Sequence, residues 1–339
     1  MYNSVKNVVV PDNVKIRSGK DSTNFTYWFR SAKNIKNIYI GNQVVGLANT
    51  FANCRNITTA VCGNNVINME GTYYSCQNLT TAACGNKVIT MNSAYSNCIN
   101  LKTPVCGPNV INMSNTYSNC RNMTSAVCGP NVINMSSSYK NCQNITSAVC
   151  GPNVVDMSSS YSNCQSITSA ICGKRVQIFT GTYLNCQNLT EGVCGSNVVN
   201  MYDCYYNCRN LINGVIGPRV TNTYRSFANC LNMTNVRILN GATNLNYNTF
   251  ENCRSLTEIL IPKSIMTIQD NAFYNCVNLQ SLDFATHDAV PSISVNALRG
   301  LPSTCSIKVP TSLYDNWINS THWSNYSNQM TAVNIYENL

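Results

Sequence analysis

The chain has 339 residues, enough for one long domain or two ordinary ones, and its 44% hydrophobic content can build a core. Only 10% of residues are charged, against about a quarter in ordinary domains, so the surface must stay in water through Asn, Ser and Thr. The net charge of +9 is uneven: residues 1–40 hold seven Lys or Arg against Asp12 and Asp21, the middle is nearly uncharged, and residues from Glu251 onward hold four bases and seven acids.

In chain order, residues 1–32 are expected to form a basic N-terminal cap with an irregular first coil, ending in Tyr27-Trp28-Phe29. This basic stretch reads as a solvated cap or as a patch for an anionic surface. Nucleic acid is not an expected partner, because no nucleic-acid motif accompanies the charge. Met1-Tyr2-Asn3-Ser4 leads into Val8-Val9-Val10, a run too short for a secretory leader. The expectation is synthesis in a reducing cytoplasm without a signal peptide, followed by action in a virion or at a host surface. No run approaches the ~18 apolar residues of a membrane span.

Residues 33–300 carry a repeat that the cysteines reveal. One series is Cys54, Cys76, Cys98, Cys120, Cys142, Cys164, Cys186, Cys208 and Cys230, spaced by 22, with Cys253 and Cys276 following at 23. A second lies eight residues later: Cys62, Cys84, Cys106, Cys128, Cys150, Cys172 and Cys194. Three residues before each first-series Cys stands Phe or Tyr, from Phe51 to Phe273. Three after it stands Ile, Leu or Met, twelve after it a Val, and fifteen after it a Met in most coils. Segments such as Thr124-Ser125-Ala126-Val127-Cys128 alternate as a short strand should, with Gly129-Pro130 as the breaker. A single such coil cannot bury its apolar side; stacking does.

Residues 301–339 are expected to form a C-terminal cap. It has a last strand at Ile307-Lys308-Val309-Pro310 and a short helix from Thr311 through Ile318, with Trp323, Tyr326 and Met330 over the end of the core.

The later coils, with Ile259-Leu260-Ile261-Pro262, Ile265, Ile268, Ala272-Phe273, Cys276 and Leu279, resemble the BspA-like leucine-rich repeat. The period of 22–23 agrees with that repeat class. The resemblance implies a right-handed repeat solenoid of about 11–12 coils, with a parallel β-sheet on one face and turns or short helical segments on the other. It also implies protein recognition, adhesion or host contact, and no catalysis; similar repeats occur in phage proteins. The central coils depart from the family pattern, with Cys-Gly-Pro for Ile-Pro, Tyr for Phe and Met for Ile.

Three further expectations concern chemistry. The spacings of 8 and 14 are not those of zinc sites, and stacked strands ~4.8 Å apart hold their Cβ atoms too far apart for disulfides. Both cysteine series, Cys54 to Cys186 and Cys62 to Cys194, are therefore expected as ladders of buried, reduced thiols, with no metal and no cofactor. Asn beside the first-series Cys is expected to form turns and to satisfy backbone groups between coils. Two histidines, His287 and His322, and few carboxylates give an enzyme little to work with. The outward strand positions Val61, Val105, Val127, Val149, Ile171, Val193 and Val215 form an apolar stripe. That stripe is either a docking surface for a protein or cell-surface ligand or simple β-propensity. The alternative function is a structural spacer that self-associates through this face.

Overall fold

The computed structural model describes residues 5–11 and 24–334. Most of the expected basic cap, Lys15 to Lys20 included, lies outside the described residues. The chain winds as a parallel-strand solenoid and divides into two units, residues 1–167 and 168–339.

In the first unit, β1 (Asn7–Val10), β2 (Asn37–Ile40), β3 (Thr59–Val61) and β4 (Thr81–Ala82) form one parallel sheet in that order. The second unit holds three sheets. One pairs β5 (Asn213–Ile216) with β6 (Asn235–Ile238). Another joins β7 (Asn244–Leu245) and β9 (Thr267–Ile268) with β11 (Ser292–Ile293). The third runs from β8 (Glu258–Leu260) through β10 (Ser281–Asp283) and β12 (Ser306–Pro310) to β13 (Met330–Val333). After β12 come a 3-10 turn, the helix α1 (Tyr314–Ile318) and a second 3-10 segment, Trp323–Gln329. These bury Trp317 and Trp323 against Phe284, while Tyr326 is half-buried and Met330 is buried.

The expected strand in every coil is not there. Among the described residues, no backbone hydrogen bond links Thr124–Val127 to the coil on either side. The reason is the aromatic column. The Tyr139 hydroxyl crosses the core, accepts the N–H of Val127 at 2.8 Å and donates to the Val127 carbonyl at 2.5 Å. Tyr117 brackets Val105 in the same way, and Tyr161 brackets Val149. In the second unit Tyr183 brackets Ile171 and Tyr205 brackets Val193. A peptide whose N–H and C=O both point inward has none left for a neighbouring strand.

After most of the paired strands the column carries Phe. Phe51 comes twelve residues after Tyr39 of β2 and Phe227 twelve after Val215 of β5, and Phe250 and Phe273 follow β6 and β8 at the same place in the coil. Tyr73 and Tyr95 are the exceptions, after the paired strands β3 and β4. The buried Tyr73 hydroxyl has no partner, and the Tyr95 hydroxyl donates to the Ala83 carbonyl at 3.4 Å while the Ala83 N–H goes to Ala60.

Coils are tied elsewhere. Next to the Val column, Ile67 donates to Val45, Ile89 to Ile67, Ile111 to Ile89 and Ile133 to Ile111, at 2.8–2.9 Å. On the turn side, Asn49 and Phe51 donate to the carbonyls of Glu70 and Thr72 in the next coil. Two residues per coil there are left-handed. The second is nearly always the Asn before the first-series Cys, as at Asn119 (φ 64°), Asn141 (φ 63°) and Asn207 (φ 61°). Asn adopts this region more readily than other side chains. Its amide then continues the stack: Asn141 donates to Asn119 and Asn163 to Asn141, both at 2.8 Å.

The core is therefore a set of columns. Aromatic rings stack at 5.4–5.7 Å from Phe29 to Tyr161. The first-series thiols are fully buried, and they donate to the carbonyl of the aromatic residue one coil back, as Cys120 does to Tyr95 at 3.1 Å and Cys208 to Tyr183 at 3.0 Å. Cys204 is fully buried in the column of Thr72, Thr116 and Ser226.

Candidate interaction surface

The second unit carries a groove of about 790 Å³ across the outer face of β6, β8, β10 and β12. The register places Asp283 between Leu260 and Lys308, and Ser281 beside Glu258. Arg237 stands on β6 next to this row, and Asn235, Ala285 and Thr286 complete the rim. Leu260 is 56% exposed, so an apolar floor lies open between two bases and two acids. An adjoining hollow of about 470 Å³ extends it past Pro262 and Lys263. Lys263 pairs with Asp288 at 3.2 Å, but both are exposed, and such a pair holds little. It nonetheless keeps the Asp288 carboxyl below its ordinary range, through the hydrogen bond and charge of Lys263.

The sequence placed the candidate surface elsewhere, on the strand stripe. In the first unit Val61 is 37% exposed and Val105, Val127 and Val149 are half-buried. In the second, Ile171 is 38% exposed and Val193 and Val215 are half-buried. The second thiol ladder is less buried than expected. Cys62 is buried, but Cys84, Cys106, Cys128, Cys150, Cys172 and Cys194 are only half-buried. Without paired strands there is no strict in-out alternation, and Ala126 is half-buried as well.

A column that the sequence reading passed over is more exposed. Val45, Ile67, Ile89, Ile111 and Ile133 run through five consecutive coils of the first unit at 37–46% exposure. The signal was present: these residues sit between the Val and Met columns, where a side chain next to an inward Val must face out.

The cysteines are thiols, not disulfides. Burial pushes Cys106 up to about 11 and Cys84 up to about 12, so both are protonated and weakly nucleophilic at neutral pH. Among the described residues, no three His, Cys, Asp or Glu side chains come together to hold a metal ion, and no helix is long and apolar enough to cross a membrane. His287 is buried, with Nδ1 3.2 Å from the Phe284 carbonyl and Nε2 3.3 Å from that of Ile265. Burial lowers its pKa, and its ring packs on Phe284 and Trp317. His322 is half-buried. Neither histidine faces the groove.

The model of the BspA type leucine rich repeat region matches residues 2–124, 112–225 and 222–339, in six copies. No curated protein sequence matches the chain. Among solved structures, a leucine-rich repeat protein from Bacteroides ovatus is similar at 14% identity and a TM-score of 0.49, over 97% of this chain and 92% of that one. A leucine rich cell surface protein from Faecalibacterium prausnitzii is similar at 15% identity and a TM-score of 0.40, over 97% and 92%. The pneumococcal vaccine antigen PcpA is similar at 10% identity and a TM-score of 0.41, over 98% and 88%. Because the repeat model spans nearly the whole chain, the chain belongs to the BspA-type leucine-rich repeat family.

Proposed function

We propose that the protein is a non-enzymatic binding module that takes an extended protein segment along the groove of β6, β8, β10 and β12. The observation that carries this is the exposed Leu260 set among Arg237, Glu258, Asp283 and Lys308. An apolar floor supplies burial, and charges of both signs fix the register of a bound chain. A displayed library of random peptides, selected on the intact protein, tests it. Binders are expected to weaken at least about tenfold, or 1.4 kcal/mol, on Leu260→Asp and on Arg237→Glu. Binders indifferent to both changes would sink the reading.

The exposed column from Val45 to Ile133 favours a second reading, a spacer that self-associates through an apolar face. A stable oligomer that becomes monomeric with Ile67→Lys, Ile89→Lys and Ile111→Lys supports it. A monomeric wild type removes it. The strand stripe of the first unit is tested beside it with Val105→Lys, Val127→Lys and Val149→Lys.

A further inference from the structure

The second thiol series has a neighbour that the first lacks. Each of its cysteines except Cys172 is followed seven residues later by Met, and at Cys62, Cys84, Cys106 and Cys194 the sulfurs meet inside the coil. Cys84 Sγ lies 4.0 Å from Met69 Sδ and 3.8 Å from Met91 Sδ. Cys62 Sγ lies 3.8 Å from Met69 Sδ, Cys106 Sγ 3.6 Å from Met113 Sδ, and Cys194 Sγ 3.5 Å from Met201 Sδ. At Cys84 one thiol stands between two thioethers. Both methionines are fully buried, while Cys84 is half-buried and gives a path in from solvent. The niche is kept open by a glycine: a Cβ on Gly107 of the next coil would stand 3.2 Å from Cys84 Sγ.

We propose that Cys84, Met69 and Met91 form a binding site for a soft monovalent metal ion, copper(I) or silver(I). Copper(I) bound to two sulfurs at about the 2.3 Å of a zinc–thiolate bond and at ~110–120° holds them ~3.8–4.0 Å apart, the separation found on both sides of Cys84; the larger silver(I) needs the sulfurs to part slightly further. Thiolate and thioether donors together select soft ions over zinc, calcium or magnesium. The charge also balances. The Cys84 S–H bond breaks, its proton goes to solvent, and a metal–sulfur bond forms. One thiolate, two neutral thioethers and one monovalent cation leave no net charge in a site where an unpaired charge would be costly. No oxidant or reductant takes part.

The experiment uses the whole chain, reduced and free of oxygen, with methionine methyl groups labelled by carbon-13. Silver(I) is added to one equivalent and its affinity measured by competition with a chromophoric chelator. The expected result is movement of the Met69 and Met91 methyl signals, with those of Met123 and Met233 in the other column unmoved, and release of one proton per metal. The double variant Met69→Leu, Met91→Leu keeps all twenty cysteines and the side-chain volumes. It should bind the first equivalent at least about tenfold more weakly, the scale on which metal sites respond to lost support. Circular dichroism confirms that it folds. Silver binding with both methyl signals unmoved, or equal affinity in the double variant, would overturn the site and assign the metal to thiols alone. Neither outcome touches the groove of the second unit.

Discussion

The same substitution in two coils of the first unit should have opposite signs. Tyr139→Phe removes a hydroxyl that accepts from Val127 N–H at 2.8 Å and donates to its carbonyl at 2.5 Å. Each hydrogen bond contributes about 1 kcal/mol net, and a polar group left partly buried adds to the loss. Tyr139→Phe should therefore destabilise by about 2 kcal/mol. Tyr73 is also fully buried, but its hydroxyl has no partner. Removing an unsatisfied buried hydroxyl relieves a desolvation cost, so Tyr73→Phe should be neutral or stabilise by about 1 kcal/mol. The two variants delete the same atom from equally buried rings, so differences in ring packing cancel. Urea unfolding followed by circular dichroism reads the result as midpoints moving in opposite directions with an unchanged slope. If both variants destabilise equally, the hydroxyls do not bracket the backbone, and the account of the missing strands fails. Phe227→Tyr supplies the converse. Val215 is already paired to Arg237 in the β5–β6 ladder, so a new hydroxyl there finds no peptide to bracket and should destabilise.

Three other outcomes follow from the columns. Above about pH 9 stability should fall. The thiols of Cys62 and Cys106 are raised by burial from 9.0 to about 11, and those of Cys84, Cys128 and Cys194 to about 12. In that window the unfolded chain sheds protons that the folded chain keeps, costing up to about 1.4 kcal/mol per pH unit for each thiol; a melting temperature that holds steady to pH 11 under reducing conditions would contradict this. Gly151→Ala should cost about 1–3 kcal/mol by overpacking, because its Cβ would stand 2.9 Å from both Cys128 Sγ and the Gly129 carbonyl, and the denaturation midpoint should recover in part with Cys128→Ala. Arg225→Ala should destabilise by about 2–3 kcal/mol, somewhat below the loss for a fully buried pair, since it strips a two-bonded partner at 2.7–2.8 Å from buried Asp203 and a cation from the faces of Tyr206 and Tyr224. Ala keeps the Cβ, so the left-handed φ of 47° is not relieved, and thermal unfolding of the single variant measures the loss.

What was legible in the sequence was the phase of the columns. Cys120, Tyr117 and Met123 announce their inward positions by spacing alone, and all three are fully buried. What was not legible was whether neighbouring coils pair. Thr124–Val127 has strand composition and alternation, yet its peptide groups are claimed from within by a hydroxyl twelve residues along. That hydroxyl is written in the sequence as Tyr rather than Phe, but its meaning depends on a reach across the core that only the folded coil shows. The candidate surface was hidden for a related reason. Arg237, Leu260 and Asp283 continue the outward column of Val193 and Val215 at the same place in the coil, and in the sequence they show only that its apolar character stops. In a parallel stack, side chains one coil apart become lateral neighbours, so a column that loses its uniformity gains chemical variety at a single place. Uniform columns are what stacking requires, and a varied column across paired strands has no such duty. In this protein the irregular coils from β6 to β12 are for that reason the stronger place to look for recognition, and the regular ones the stronger account of the fold.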